Sequence, residues 1–479
     1  MSRTPASSGD AAMASWADLL REGRAFYAVL ILLGVLLHAL QILVIAIIMP
    51  TVVADVGGAA FYTWAAMLYT IGSIVGSASV GPLWTALGTR RGYAVSGFLL
   101  LVGTTGCAAA PDMATLIAAR AVQGYAGGLV IGGSMALIGG LFGGPLRTRM
   151  LAGYQGVWMV AQLCGPLVGG VFAEIGWWRG SFWTLVPIIL VFATLAWLRL
   201  PDRLENEDTD QGKSAFPVLR LAMLGAGVFA VALAGPVTGN DVRLALIVAA
   251  AALVWLTFRR DRKATNRLWP ASTLSLRSPV GLALWILFCV GLVQTSVTLF
   301  LPLLLQVVHG VTPLFISYVT ITISFGWTVG TFAVAGWTGA RERVALWAGP
   351  LLMLAGMAGM TATAQFPGLI VLTVSAFVLG LGIGCQNVHL VARTMAAAMR
   401  GEERITAAAM PSFRSLGTAF GAALAGMLST IGGLGDATDA TAVGNAVTVV
   451  YGFDLLPLVA AALFSFALAR AGPPDRQGP

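Results

Sequence analysis

The sequence predicts an all-α membrane protein of about fourteen transmembrane helices. They are expected as two six-helix bundles with two extra helices between them, and with both chain ends on the cytoplasmic side. Three observations predict this. Of 479 residues, 58% are hydrophobic and only 10% charged, against roughly 25% charged in soluble domains. A water-soluble chain of this size could not cover its surface with so few ions. The apolar residues come in blocks of about 18 or more, the length a helix needs to cross hydrocarbon. Lysine and arginine gather in alternate loops, the bias that orients membrane helices.

The elements follow in order. Residues 1–25 read as a cytoplasmic tail, polar and including Asp10, Asp18 and Glu22. The first apolar block is too long for the core of a cleavable signal. Trp16 to Arg24 fits either a short amphipathic helix on the membrane face or a solvated tail. The N-terminal bundle is placed at 26–199, with spans at 26–50, 62–82, 92–110, 113–141, 150–173 and 179–199. Residues 200–280 form a linker with two short spans, 216–236 and 242–258, joined by a tight turn at Gly235, Pro236, Gly239 and Asn240. The acidic stretch Asp202 to Asp210 and the basic stretch Arg259 to Arg277 flank that pair. The C-terminal bundle is placed at 281–470, with spans at 281–307, 311–337, 344–364, 367–390, 405–430 and 450–470. Residues 471–479 form a second cytoplasmic tail. Counted on these spans, Asp55, Asp112, Glu174 and Asp454 all fall near span ends, so no carboxyl is expected at a span centre.

With the N-terminus inside, Arg90, Arg91, Arg147, Arg149, Arg341, Arg343 and the basic linker all lie in cytoplasmic segments. The outer segments hold only Arg179 and Arg243. The net charge of +8 therefore reflects membrane orientation, and no nucleic-acid partner is expected. Cys107, Cys164, Cys289 and Cys385 each fall inside a span without metal-ligand spacing. With three histidines, no Ser/His/Asp arrangement, no paired carboxylates and no Gly-x4-Gly-Lys loop, the chain offers neither an enzyme's constellation nor an ATP site. No cofactor and no metal are expected. The expected partners are a small-molecule substrate and the lipid bilayer, with the chain acting as a monomer.

An internal echo supports two bundles. Gly81-Pro-Leu-Trp-Thr-Ala-Leu-Gly88-Thr-Arg90-Arg91 follows the second span, and Gly336-Trp-Thr-Gly-Ala-Arg-Glu-Arg follows the matching span of the later half. Repeats of this kind suit a protein that rocks one half against the other. Further segments are Leu116-Ile-Ala-Ala-Arg120-Ala-Val-Gln123-Gly124, Gly165-Pro166-Leu-Val-Gly169-Gly170 and Trp177-Trp178-Arg179-Gly-Ser-Phe182-Trp183. Leu301-Pro302-Leu-Leu-Leu-Gln306 and Phe413-Arg414-Ser-Leu-Gly417 lie in the second half. In this order and spacing the chain resembles the major facilitator superfamily from about residue 26 to 470. With fourteen spans it resembles the drug:proton antiporter family within it.

The resemblance implies a secondary transporter exporting small amphipathic compounds or metabolites by alternating access, and the short loops and high Ala/Gly content suit a bacterial inner membrane. Uptake, facilitation without protons, and a sensor that kept the fold are the other readings. It also implies a cavity between the first, fourth, ninth and twelfth spans. Their polar residues are His38 and Gln41, Arg120 and Gln123, Gln294 and Gln306, and Gln386 and Asn387; Tyr69, Trp158 and Gln162 could join them. The small residues Gly165, Pro166, Gly169 and Gly170 let helices approach closely and bend. Arg120 is an ion inside a span, which is costly and marks a functional candidate; Arg414 lies about two turns from its span's cytoplasmic end.

The chain departs from the family in two places. Its loop motif has Thr85 and Ala86 where an acid and a base are usual, although Gly81, Gly88, Arg90 and Arg91 remain. Gln41 stands nine residues before Pro50, where the family places an Asp. Glutamine cannot carry a proton. His38, one turn earlier on the same face, has an unperturbed pKa of about 6.5. His38 and Arg120 are thus the candidates for proton coupling.

Overall fold

A computed structural model describes residues 24–142, 144–203, 217–234, 237, 239–264, 267–366, 368–399, 402–434 and 439–470. The tail before Arg24, the acidic stretch beyond Arg203, Gly235 and Pro236 of the tight turn, and the tail from 471 lie outside them. Among the described residues every element is a helix. The first set is α1 (Arg24–Val56), α2 (Trp64–Leu87), α3 (Thr89–Ala108), α4 (Met113–Leu141), α5 (Gly144–Glu174) and α6 (Gly180–Arg199). Then come α7 (Val218–Leu233) and α8 (Asn240–Asp261). The second set is α9 (Pro279–Val307), α10 (Pro313–Val334), α11 (Ala340–Ala362), α12 (Leu369–Ala396), α13 (Glu403–Ile431) and α14 (Ala440–Arg470).

Each expected span falls on one of these helices, and 11 are long and apolar enough to cross a membrane. The all-helical outcome follows from the solvent. Lipid offers no hydrogen bonds, so each spanning segment must satisfy its own backbone. Hydroxyls inside the helices are satisfied the same way: Thr104 donates to Leu100 O at 2.7 Å and Thr295 to Gly291 O at 2.9 Å.

Packing repeats between the sets. In the first, α2 packs on α4, α1 on α5, and α3 on both α4 and α6. In the second, α10 packs on α12, α9 on α13, and α11 on both α12 and α14. Each helix thus corresponds to the one eight places later. The sequence cause is a matched set of Gly-x3-Gly pairs: Gly72 and Gly76 in α2, Gly124 and Gly128 in α4, Gly326 and Gly330 in α10, Gly380 and Gly384 in α12. A Cβ on Gly128 would run into the backbone of Ser73, and one on Gly384 into that of Trp327. Helices associate in lipid mainly through such close backbone approach.

The two sets meet as α5 against α10 and α2 against α13, again a symmetric pair. Hydrogen bonds join them at the end where α1, α5, α9 and α13 finish. Tyr62 OH donates to Leu299 O at 2.9 Å, Ser317 OH to Pro166 O at 2.6 Å, and the Leu314 N–H to Glu174 Oε2 at 3.1 Å. The Tyr62 ring lies 5.6 Å from that of Phe300. At this closed end Asp55 also pairs with Arg179 at 2.7 Å. The extra helices α7 and α8 pack on each other, and α7 leans on α13 and α2.

Candidate functional site

Helices α1, α2, α3 and α4 carry a buried polar cluster in the first set. Arg120 on α4 is its centre, only 1% exposed. Its Nε donates to Ala65 O on α2 at 3.2 Å, and its Nη1 to Gln41 O on α1 at 3.1 Å. Nη1 also donates to Gln123 Oε1, one turn along α4. Gln123 Nε2 donates to Gln41 Oε1 at 2.7 Å and to Thr104 Oγ1 on α3 at 3.0 Å. Gln41 Nε2 donates to the same hydroxyl at 3.0 Å. The guanidinium carbon stands 4.1 Å from the centre of the Tyr69 ring, whose hydroxyl lies 3.0 Å from His38 Nδ1. The Trp158 ring of α5 meets the His38 ring edge-on at 6.0 Å.

His38, Gln41, Tyr69, Arg120 and Gln123, all singled out in the sequence, therefore meet in one network, with Trp158 beside it. Arg120 does not snorkel to an interface. Its described partners are two backbone carbonyls, one amide oxygen and one aromatic face, all neutral. Among the described residues no carboxylate pairs with it. A buried cation normally demands a counter-charge; here dipoles and the ring quadrupole take that role, which leaves the net positive charge in place. Such a site can attract a negative or polar group and repel a cation.

The other expected residues lie elsewhere. Gln294 on α9 accepts from Arg414 Nη2 at 2.7 Å, and the Arg414 guanidinium stacks 4.8 Å from the Trp327 ring of α10. Gln386 is buried and donates to Ser465 Oγ at 2.5 Å, tying α12 to α14. Asn387 and Gln162 are half-buried. Gln306 Oε1, near the end of α9, has no hydrogen-bond partner among the described residues. His309, just past α9, is half-buried, and burial holds its imidazole below the usual value.

The small-residue motifs sit at contacts. Gly165 and Gly169 face α1, at Leu43 and at Val44 and Ile47, whereas Gly170 faces Ser317 of α10. With Pro166 O accepting from Ser317, this segment lies on the seam between the two sets. In the loop motif, Gly88 has φ +79°, a left-handed conformation that favours glycine. It lets the next residue, Thr89, donate its N–H to Asp202 O at 2.9 Å. Arg90 then pairs with Asp202 at 2.5 Å, while Thr85 donates to Gly81 O at 3.0 Å within α2. Gly81 has open space around it and Arg91 is exposed.

Two residues were not singled out by the sequence. Thr104 accepts both amides of the cluster. Asp454 corrects an expectation: α14 begins at Ala440 rather than residue 450, so Asp454 lies midway along it and is 1% exposed. Its Oδ1 accepts from Ser296 OH on α9 at 3.3 Å. The missed signal is Asp439, whose Oδ1 accepts the Ala442 N–H at 2.8 Å as a helix cap does.

Residues 31–422 match the family model of the Major Facilitator Superfamily. A probable multidrug-efflux transporter of Mycobacterium tuberculosis is 32% identical over 451 residues, 91% of this chain and 94% of that protein. A multidrug transporter of Bacillus subtilis is 24% identical over 426 residues, 85% of this chain and 76% of that protein. Among solved structures, a bacterial homologue of the human lysosomal transporter Spinster superposes with a TM-score of 0.62 at 16% identity, covering 95% of this chain and 99% of that one. A transporter of the POT family superposes with a TM-score of 0.63 at 12% identity, covering 92% and 98%. At such identities these two structures speak for the fold alone. The chain belongs to the major facilitator superfamily and is a multi-pass membrane transporter.

Proposed function

We propose that this chain is an efflux transporter of the fourteen-helix drug:proton antiporter type, exporting small amphipathic compounds across a bacterial inner membrane by alternating access. The observation that carries this reading is the similarity to the mycobacterial multidrug-efflux transporter over nearly the whole of both chains. The helix pairing supports it: α1–α6 and α9–α14 act as the two rocking bundles, with boundaries near 26–199 and 281–470, and α7 and α8 ride in the linker. Both termini are cytoplasmic, by the arginine bias of the loops. The closed end, where Tyr62 meets Leu299 and Ser317 meets Pro166, then faces outward. The protein works as a monomer.

In this reading the Arg120 cluster meets the cargo. Tyr69 and Trp158 supply aromatic surface, and His38, Gln41 and Gln123 supply hydrogen bonds, a mostly apolar pocket with few polar anchors. Arg120 has no carboxylate partner among the described residues, and residue 41 is an amide. Both features favour neutral or anionic cargo over cations. Gln41 and Thr85 also favour a second reading, facilitation without proton coupling, because the acids usual at those positions are missing.

The test is exchange across proteoliposomes containing the purified chain. The panel holds radiolabelled neutral amphiphiles, amphipathic carboxylates and the cation tetraphenylphosphonium. Wild type should exchange neutral or anionic members faster than protein-free vesicles, and Arg120→Met should abolish anion exchange. Failure of wild type to exchange any member would defeat the transport assignment for this panel's chemistry. Anion exchange unaffected by Arg120→Met would remove Arg120 from the site.

A further inference from the structure

Two aspartates are buried among the described residues, and their surroundings differ. Asp261, at the end of α8, is fully served: Arg220 pairs with it and the Leu268 and Trp269 N–H groups donate to it. Among the described residues Asp454 has only the Ser296 hydroxyl, on Oδ1. Its Oδ2 is buried with no hydrogen-bond partner among the described residues, and so is the hydroxyl of Tyr451, one turn away on the same face. Asp454 stands about 21 Å along α14 from Ala440 and about 24 Å from Arg470, at 1.5 Å per residue.

Among the described residues, the helices packed on α14 bring no ion paired with Asp454. On α12, which Gln386 ties to Ser465, His389 bonds Val334 O at 3.0 Å and Arg393 lies in the last turn. No Asp, Glu, Lys, Arg or His occurs in α9; its titratable residue is the buried Cys289. Among the described side chains, α13 presents Arg414, which is bonded to Gln294 and stacked on Trp327. On α11 the charged residues are Arg341, Glu342 and Arg343, all in its first turn. The opposite end of α11 is the one beside the start of α14, where Gln365 Nε2 donates to Asn445 Oδ1 at 3.0 Å. Among the described residues none of these ions pairs with Asp454. A carboxylate left so deep without a counter-charge costs far more than the neutral carboxylic acid.

The position is also mechanical. Ser296 lies one turn before Leu299 and Phe300 on α9, the residues on which Tyr62 closes. The acid's one described donor thus belongs to the helix segment that seals the closed end.

We propose that Asp454 is the proton-binding group of this transporter and that its protonation is linked to the contact of Tyr62 with Leu299. This rests on the transport reading above. With the contact made, Asp454 is a carboxylic acid. When the two sets part there, water reaches the Ser296–Asp454 pair, and the acid O–H gives its proton to water, leaving a carboxylate. The carboxylate takes a proton back from water before the end can close again. The proton leaves and returns at the same end, so Asp454 gates that end and carries no net proton across the membrane.

The test needs no cargo, so it can fail while cargo exchange by wild type stands, and the reverse. Infrared difference spectra between acid and alkaline pH are recorded on the full chain in vesicles, as wild type and Asp454→Asn. Wild type should show a carboxylic-acid carbonyl band that the variant loses. Amide hydrogen exchange of the two forms is then compared at the same pH. At alkaline pH the segments containing Tyr62 and Leu299 should exchange faster in wild type than in Asp454→Asn, which mimics the neutral acid; at acid pH the two should agree. An unchanged band, or equal exchange at both pH values, overturns the proposal. Should Asp454→Asn not fold, Ser296→Ala serves: removing the hydroxyl should shift the pH midpoint of the band, and an unmoved midpoint overturns the proposal as well.

Discussion

Replacing Gln123 by Leu separates a connected polar network from a set of independent contacts. Gln123 Nε2 donates to Gln41 at 2.7 Å and Thr104 at 3.0 Å, and Oε1 accepts from Arg120 and, at 3.7 Å, from Cys107 Sγ. Leucine fills a similar volume and makes none of these. Interhelical hydrogen bonds in membranes are worth about 0.6 kcal/mol each and at most about 1.7, so the two amide bonds account for about 1–3 kcal/mol. Leaving Gln41 Oε1 without its donor adds about 1–3 kcal/mol, and taking the Gln123 acceptor from the Arg120 cation about 1.5–3 kcal/mol more. The expected loss is therefore about 4–9 kcal/mol. Thr104→Val should cost less, because Gln41 and Gln123 keep their mutual bond. The double variant should lose less than the sum, since the two changes share a bond. Reversible unfolding in mixed micelles reads all three. Gln123→Leu unfolding together with wild type, or strictly additive losses, would refute the network.

Gly128→Val should abolish the yield of monodisperse protein, because a Cβ there enters the Ser73 backbone, whereas Gly452→Ala, in open space, should leave it unchanged; size-exclusion chromatography decides. Asp112 caps α4 by accepting the Thr115 N–H at 2.8 Å, and that backbone bond holds its carboxyl below the ordinary carboxylate range. The sign follows: the cap's contribution is complete above the ordinary carboxylate pKa and is lost as pH falls through the depressed folded-state value. Asp112→Ala should speed amide exchange in the first turn of α4 at neutral pH and change nothing once the wild-type carboxyl is protonated. Asp112→Asn should keep the cap and lose the pH dependence.

Much of the first bundle's site was legible because membrane burial makes polar residues conspicuous. His38 and Gln41 lie on one face of one span, and Arg120 and Gln123 on one face of another. Neither pair could be satisfied alone in lipid, so their meeting follows. Thr104 was not legible, since a threonine in a span usually bonds its own helix, as this one does to Leu100, and gives no hint of a second duty. Asp454 was misplaced for a different reason. Residues 440–449 hold Thr441, Gly444, Asn445 and Thr448 and read as loop. In the fold, Gln365 donates to Asn445 at 3.0 Å and to Thr448 at 3.2 Å, so tertiary contacts carry the helix through polar sequence. The paired Gly-x3-Gly repeats of α2 with α4 and α10 with α12 report the internal symmetry better than the Gly81 and Gly336 loops, because they mark where backbones touch.

If the uncompensated charge of Arg120 sets the cargo class, Gln41→Asp should change that class. Arg120 Nη1 already donates to the backbone oxygen of residue 41 at 3.1 Å, so a carboxylate on that side chain lies beside the guanidinium and cancels its charge. The measurement is exchange of amphipathic carboxylates, neutral amphiphiles and tetraphenylphosphonium by wild type and Gln41→Asp in the same vesicles. Carboxylate exchange should fall about tenfold or more relative to neutral compounds, equivalent to about 1.4 kcal/mol, while tetraphenylphosphonium gains. Carboxylate exchange unchanged in Gln41→Asp, or a wild type that exchanges the cation alone, would contradict that role for Arg120.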